Sequence, residues 1–253
     1  MESAIRTDTF PISVMHANNE TGDVQPIEEI AASAKQRGIL LHTDAVQSVG
    51  KIPVNVRALG VDLLSLSAHK IHGPKGVGVL YVRKGTKTVP FMTGGSHERK
   101  RRAGTENVPA IAGLGAAARL AMERQAGMQT RVAALRDRLE SQILDRIQGA
   151  RINGQAPRLP TIGNLSFENL EGEAAVIALD LEGVAVSTGS ACSSGALDPS
   201  HVLTAMGLRP EVVQGSLRFS LCYHNTDEQV DRAIRILESV VQRLRKLSRR
   251  AFV

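Results

Sequence analysis

The chain has 253 residues, and 31 Lys and Arg against 25 Asp and Glu give a formal charge of +6. Its 42% hydrophobic, 22% charged composition excludes disorder throughout, and no run approaches the ~18 apolar residues of a membrane helix. Cys192 and Cys222, the two cysteines, make neither a disulfide scaffold nor by themselves a zinc site, and 5 Phe, 2 Tyr and no Trp leave few faces for stacking nucleic-acid bases.

Phe10–Met15 reads as a strand. Pro26, followed by Ile27, Glu28 and Glu29, opens a helix, because proline suits the first turn and the acids suit the helix dipole. Ile27, Ile30, Ala31 and Ala34 share one face, and Gly38 ends the helix. Further strands are predicted at Ile39–Thr43, Val61–Ser67 and Gly78–Val82. Strands alternating with helices predict a mostly parallel α/β architecture. A helical pattern runs from Pro109 to Ile147 with a break near Gly127. Beyond it come a strand at Asn164–Phe167, a helix at Ala174–Leu181, and strands at Val184–Val186 and Ser216–Leu221. Thr226-x-x-Gln229 is a capping box ahead of the last helix. The pattern divides the chain into an α/β part over 1–125 and a bridging helix with a small α+β part over 126–253.

Ligands of open α/β sheets collect beyond the carboxyl ends of the strands. The polar residues there are Asn18, Asn19 and Glu20, then Asp44 and Gln47, then Ser67, His69 and Lys70. A lysine directly after a buried strand is partly desolvated, which lowers an amine pKa and favours Schiff-base chemistry; a plain surface lysine before Gly73-Pro74 is the alternative. Asp44 suits a buried cation such as a protonated pyridine nitrogen, or equally the N-cap of a helix beginning near Ala45. Gln47 reads as a ligand contact or a solvated side chain. Cys192 lies in a small, polar, glycine-bearing stretch, Ser187–Gly195, where a thiol is accessible. Cys222, at the end of an apolar strand, reads as a packed core thiol. Arg218, inside a strand, needs a carboxylate or solvent. Of two basic clusters, the tail from Arg243 to Arg250 reads as a solvated helix face. The other, His97–Arg102, precedes Ala103-Gly104-Thr105, whose backbone suits a small phosphate.

Six stretches in order resemble the class V aminotransferase-like cysteine desulfurases of the NifS/IscS type. They are Met15–Gly22, His42–Lys51, Ser67–Lys70 with Gly73–Gly76, Arg102–Asn107, Gly189–Gly195 and Leu217–Ser220. The resemblance implies a fold-type I pyridoxal-phosphate transferase, with a partial large domain and a small C-terminal α+β domain. It implies removal of sulfur from L-cysteine, giving L-alanine and a persulfide on Cys192 that is passed to a sulfur acceptor or iron–sulfur scaffold. By that likeness Lys70 holds the cofactor covalently, Asp44 keeps its ring nitrogen protonated, and Gln47 touches the phenolic oxygen. Ser67 and His69 bind the phosphate, with Thr105 reaching that of the neighbouring subunit in a homodimer. Asn19 and Arg218 hold the substrate carboxylate. No protein-only metal site is expected, though Cys192 is a candidate transient ligand of a cluster shared with a scaffold. Selenocysteine lyase, another fold-type I enzyme and a non-catalytic docking module for a sulfur acceptor are the competing readings.

The sequence also departs from the family. The family carries a substantial N-terminal segment before the strand that starts here at residue 10, with a glycine/threonine phosphate-binding turn and a histidine that stacks on the cofactor ring. Truncation is the expectation, ahead of a split or a degenerate enzyme, and the chain alone is then expected to bind the cofactor weakly, with a sheet edge left uncovered. Lys100 stands where the family usually has glycine. Met1–Arg6 has no apolar signal core, so a cytoplasmic protein with reduced thiols is expected, without membrane or nucleic-acid partners.

Overall fold

The computed structural model describes residues 1–188 and 199–250. The chain forms two compact units: unit 1 comprises Met1–Ala17 and Gln25–Gln125, and unit 2 comprises Asn18–Val24 and Ala126–Val253.

Unit 1 is built on a sheet of order β1-β2-β3-β4. Strands β1 (Ile12–Met15), β2 (Leu41–Asp44) and β3 (Leu63–Ser67) are parallel, and β4 (Gly78–Val82) is antiparallel to β3. Side chains alternate across the pleat. Ile12, Leu41 and Leu64 pack with Ile27, Ala31 and Ala34 of α1 (Ile27–Gln36), so the predicted stripe of that helix is the core contact. The opposite face carries a polar row. Ser13 Oγ lies 2.8 Å from His42 Nδ1, and His42 Nε2 lies 3.2 Å from Ser65 Oγ, a row that crosses three strands. Asp44 and Ser67 belong to this face by alternation. The edge strand β4 leaves Val79 41% and Leu80 57% exposed.

The first three strands begin later than the sequence predicts, the first two of them for local reasons. Pro11 has no N–H to give a ladder. The N–H of Ile39 bonds back to Ala34 O at the end of α1, at 3.0 Å. The Asp62 carboxylate, rather than a strand, takes the N–H of Leu41 at 3.0 Å.

A single turn, α2 (His97–Lys100), in which Glu98 and Arg99 have left-handed rather than α-helical backbone angles, precedes α3 (Val108–Gly127). The predicted break near Gly127 is a π-helical stretch, Met128–Val132, that leads into α4 (Ala133–Arg146). A widened turn keeps the backbone bonded where a true break would not.

Unit 2 holds a sheet of order β5-β6-β8-β7, with β5 (Ala150–Ile152), β6 (Ile162–Phe167), β7 (Ser187–Thr188) and β8 (Ser216–Ser220), antiparallel throughout. Leu165, Phe167, Leu217 and Phe219 pack against α4, α5 (Gly172–Leu181) and α8 (Asp227–Arg250) through Ile143, Leu179, Ile234 and Leu237. The short helices α6 (His201–Ala205) and α7 (Pro210–Gln214) complete the unit. The capping box forms in both directions: Gln229 N–H donates to Thr226 Oγ1 at 3.3 Å, and Thr226 N–H to Gln229 Oε1 at 3.2 Å.

Two expectations are corrected here. Val184–Val186 is not a strand; the N–H of Val184 closes the end of α5 on Leu179 O at 2.8 Å, and pairing starts only at Ser187. Cys222 is half-buried beyond the end of β8 rather than packed in the core. The turn Asn18–Val24 belongs to unit 2 although it lies among the first 125 residues. Leu159 N–H donates to Gly22 O at 2.8 Å, Val24 N–H to Pro157 O at 2.9 Å and Gln155 N–H to Asp23 Oδ1 at 2.7 Å. Among the described residues, no helix is long and apolar enough to cross a membrane.

Candidate active site

In unit 1 the candidate residues gather at the carboxyl ends of β2 and β3. Asp44 closes β2 and is the register partner of Ser65. Its Oδ1 accepts the N–H of Val46 at 2.9 Å, so one carboxylate oxygen does cap the following turn. Gln47 Oε1 accepts from Lys51 Nζ at 3.1 Å. β3 extends two residues past Ser65 and runs into a 3₁₀ turn, Ala68–Ile71, which carries His69 and Lys70. Ala68 and Ile71 are buried against Leu114 and Ala117 of α3, which fixes the turn from both ends. Its close seating depends on two glycines. A Cβ on Gly73 would stand 3.0 Å from the Ala68 carbonyl oxygen, and one on Gly113 would stand 2.6 Å from Pro74 Cγ.

Lys70 is half-buried, and its amine has no hydrogen-bond or ion-pair partner among the described residues. Ser67 Oγ and His69 Nδ1 are 2.7 Å apart. A neutral pair of this kind shares one proton and leaves one further donor, either Nε2–H or the hydroxyl, for an anion. Thr105 is exposed. The stretch before it is conformationally costly: Glu98, Arg99 and Lys100 have φ of 48°, 57° and 66°, in the left-handed region. Arg102 Nη1 turns back to Ala103 O at 2.7 Å, on the backbone expected to cradle a phosphate.

In unit 2 the structure brings together Asn19 and Arg218, 199 positions apart. Arg218, on β8, donates through Nη1 to Asn19 O at 2.9 Å and through Nη2 to Ser187 Oγ at 3.3 Å. Its Nε is buried with no partner among the described residues. Asn19 sits in a turn held by Asn18, whose Oδ1 accepts the N–H groups of Glu20 and Thr21 at 2.8 and 3.0 Å. Cys192 lies outside the described residues.

Glu20 is the residue whose role the sequence reading missed. It is 2% exposed, and its Oε2 accepts from Ser200 Oγ at 2.5 Å. Burial pushes its carboxyl above the ordinary carboxylate range, against the opposing pull of the Ser200 hydroxyl, His201 and Arg218. Its backbone oxygen accepts from Asn164 Nδ2 at 3.0 Å. Asn164 is part of a buried polar cluster in which Asn153 Nδ2 reaches Asn164 Oδ1 at 2.7 Å and Ser166 Oγ at 2.6 Å. No local signal announces this, because the partner hydroxyl is 180 positions away. Among the described residues no group of three or more His, Cys, Asp or Glu is placed to hold a metal ion.

The family model for class V aminotransferases matches residues 1–233. A cysteine desulfurase of Nostoc sp. is 50% identical over 252 residues, which is 98% of this chain and 62% of that protein. The cysteine desulfurase IscS of Dictyoglomus turgidum is 51% identical over 249 residues, 98% of this chain and 63% of that one. The cysteine desulfurase NifS of Azotobacter vinelandii is 48% identical over 247 residues, 97% and 61%. Among solved structures, a NifS-like protein aligns with a TM-score of 0.87 at 39% identity, over 95% of this chain and 63% of its own. A structure of SspA in complex with cysteine aligns with a TM-score of 0.73 at 38% identity, over 87% and 61%. The chain thus spans about three-fifths of the relatives it matches, 62% in the first of them.

Proposed function

The chain belongs to the class V aminotransferase family, and from that premise we propose that it carries the reactive groups of a pyridoxal-phosphate-dependent cysteine desulfurase. The observation that carries this reading is the placement of Asp44 and Lys70 at the carboxyl ends of neighbouring strands. The acid ends one strand, the lysine follows the end of its parallel neighbour, and that residue is half-buried with its amine lacking a partner among the described residues.

The donor set of unit 1 fits the cofactor. An aldehyde needs an amine that is not engaged in an ion pair, and among the described residues Lys70 has no such partner. A protonated ring nitrogen needs a carboxylate, and Asp44 has one oxygen beyond its bond to Val46. A phosphate needs donors, and the Ser67–His69 pair leaves one. Gln47 and, from a second subunit, Thr105 complete the proposed set. When bound, pyridoxal phosphate supplies an electron sink conjugated to the substrate's amino group.

The chain's own residues do the rest. Arg218 and Asn19 orient the substrate carboxylate, for which the guanidinium of Arg218, whose Nε has no partner among the described residues, is the donor. The Cys192 thiolate attacks the sulfur of L-cysteine. An S–S bond forms, the Cβ–S bond breaks with its electron pair left on carbon, and protonation there gives L-alanine. The persulfide on Cys192 is then passed to an acceptor, which by the family's usage serves iron–sulfur assembly. The likeness to a protein solved in complex with cysteine supports the choice of substrate. A cytoplasmic homodimer is the setting this reading implies.

Product analysis tests the proposal. With pyridoxal phosphate and L-cysteine, alanine is expected together with a gain of one sulfur atom on Cys192, both lost in Cys192→Ser. Alanine formation undiminished by that substitution, or turnover of selenocysteine alone, contradicts it.

A further inference from the structure

The Asn18–Val24 turn presents two consecutive residues, Asn19 and Glu20, to opposite ends of the stretch that bears Cys192. On the N-terminal side, Arg218 links Asn19 O to Ser187 Oγ, at 2.9 and 3.3 Å. On the C-terminal side, Ser200 Oγ donates to Glu20 Oε2 at 2.5 Å. We propose that Glu20 is a positioning residue that clasps the C-terminal stem of the Cys192 segment to the turn carrying Asn19. The inference rests on the reading of Cys192 as the sulfur-accepting thiol.

The geometry makes Ser200 a fixed point. Its hydroxyl accepts the N–H of Leu203 at 3.1 Å while donating to Glu20, so it caps α6 and holds the carboxylate at once. Its carbonyl accepts from Thr204 Oγ1 at 2.8 Å. Glu20 is equally fixed, because its carbonyl is held by Asn164, which is itself seated among the buried polar groups of β6. Both partners are nearly sealed from water, at 2% and 5% exposure. Burying a carboxylate against a single hydroxyl is an expensive way to add stability, and an apolar pair would serve that end as well. What the polar pair provides is direction: one hydroxyl vector joins two segments 180 positions apart. The charged groups facing this carboxylate are His201, at the start of α6, and Arg218, on β8.

The test is the alkylation of the full chain by iodoacetamide, with Cys192 and Cys222 followed separately by peptide mass mapping. Cys222 serves as the internal reference, so the ratio of the two rates cancels general loosening. Glu20→Ala removes the clasp but leaves the Ser200 cap on α6. Ser200→Asp keeps a capping acceptor and repels Glu20, and it decides the matter where Glu20→Ala fails to fold. Both are expected to raise the Cys192-to-Cys222 ratio about threefold or more, as a released stem opens locally. Glu20→Gln, which still accepts from Ser200, is expected to restore the wild-type ratio. An unchanged ratio in the folded variants, or failure of Glu20→Gln to restore it, overturns the proposal. The measurement needs no turnover, so absence of alanine formation bears on the desulfurase reading alone.

Discussion

Arg218 holds the backbone carbonyl of Asn19 at 2.9 Å, across 199 positions of sequence. The same guanidinium reaches Ser187 Oγ and keeps a buried Nε without a partner among the described residues. A strand arginine that sequence alone leaves open between a carboxylate and solvent is thus a fork already placed on protein oxygens at two of its tines.

Replacing that fork with a point charge tests the proposed contact with the substrate carboxylate. Arg218→Lys retains the charge but not the planar donors. The KM for L-cysteine of the cofactor-loaded protein is expected to rise roughly 10- to 100-fold, the equivalent of a lost charge-assisted hydrogen bond, with a smaller change in kcat. Steady-state kinetics check this, and an unchanged KM counts against the assigned carboxylate contact.

Glu140 and Arg158 form a bidentate pair, with both N–O distances 2.7 Å and side-chain exposures of 4% and 13%. The pair fastens the loop that grips the Asn18–Val24 turn to α4. Glu140→Ala leaves a buried guanidinium uncompensated, so a loss of about 3–5 kcal/mol is expected. Urea unfolding of the full chain measures it, and a loss below about 1 kcal/mol, typical of an exposed pair, contradicts the assignment.

His16 and Glu20 give stability opposite pH dependences. Burial pushes the His16 imidazole below its ordinary value, against a weaker upward pull from Glu28. The folded state then binds fewer protons than the unfolded one, so this contribution is present above about pH 6.5 and is lost as pH falls through the lowered value. Glu20 is raised by burial, so its contribution is present below the ordinary carboxylate range and is lost as pH rises through the raised value. Denaturation midpoints across pH 4–8 are expected to lose their acid-side decline in His16→Gln. In Glu20→Gln they are expected to lose the decline just above the carboxylate range. Unaltered slopes in both variants refute the two directions.

Lys100 occupies the left-handed region at φ 66° in an exposed turn. That conformation costs an L-residue roughly 1–2 kcal/mol, partly offset by the entropy a glycine loses. Lys100→Gly is therefore expected to stabilise unit 1 by about 0.5–1 kcal/mol, visible as a higher Tm. A lower Tm shows that the lysine side chain makes contacts worth more than its strain.

The sequence made legible what rests on local pattern. The apolar face of α1, the strand ends carrying Asp44 and Ser67, and the Thr226–Gln229 box all follow from spacing within a turn or two. It misplaced the strand at Val184–Val186, because the first valine's N–H is claimed by the end of α5, a detail of capping that apolar content does not encode. It set Cys222 in the core because an apolar run ends there, whereas the run leaves the sheet before reaching it. It gave no hint that Asn18–Val24 packs with the second unit or that Glu20 meets Ser200, since both depend on chain returning from more than a hundred positions away.

The proposed joint role of Asp44 and Lys70 is tested most directly by borohydride reduction of the chain in excess pyridoxal phosphate, followed by peptide mass mapping. The account predicts a reduced pyridoxyl group on Lys70, absent in Lys70→Ala and needing more cofactor in Asp44→Ala. Label scattered over surface lysines, with Lys70 unmodified, contradicts it.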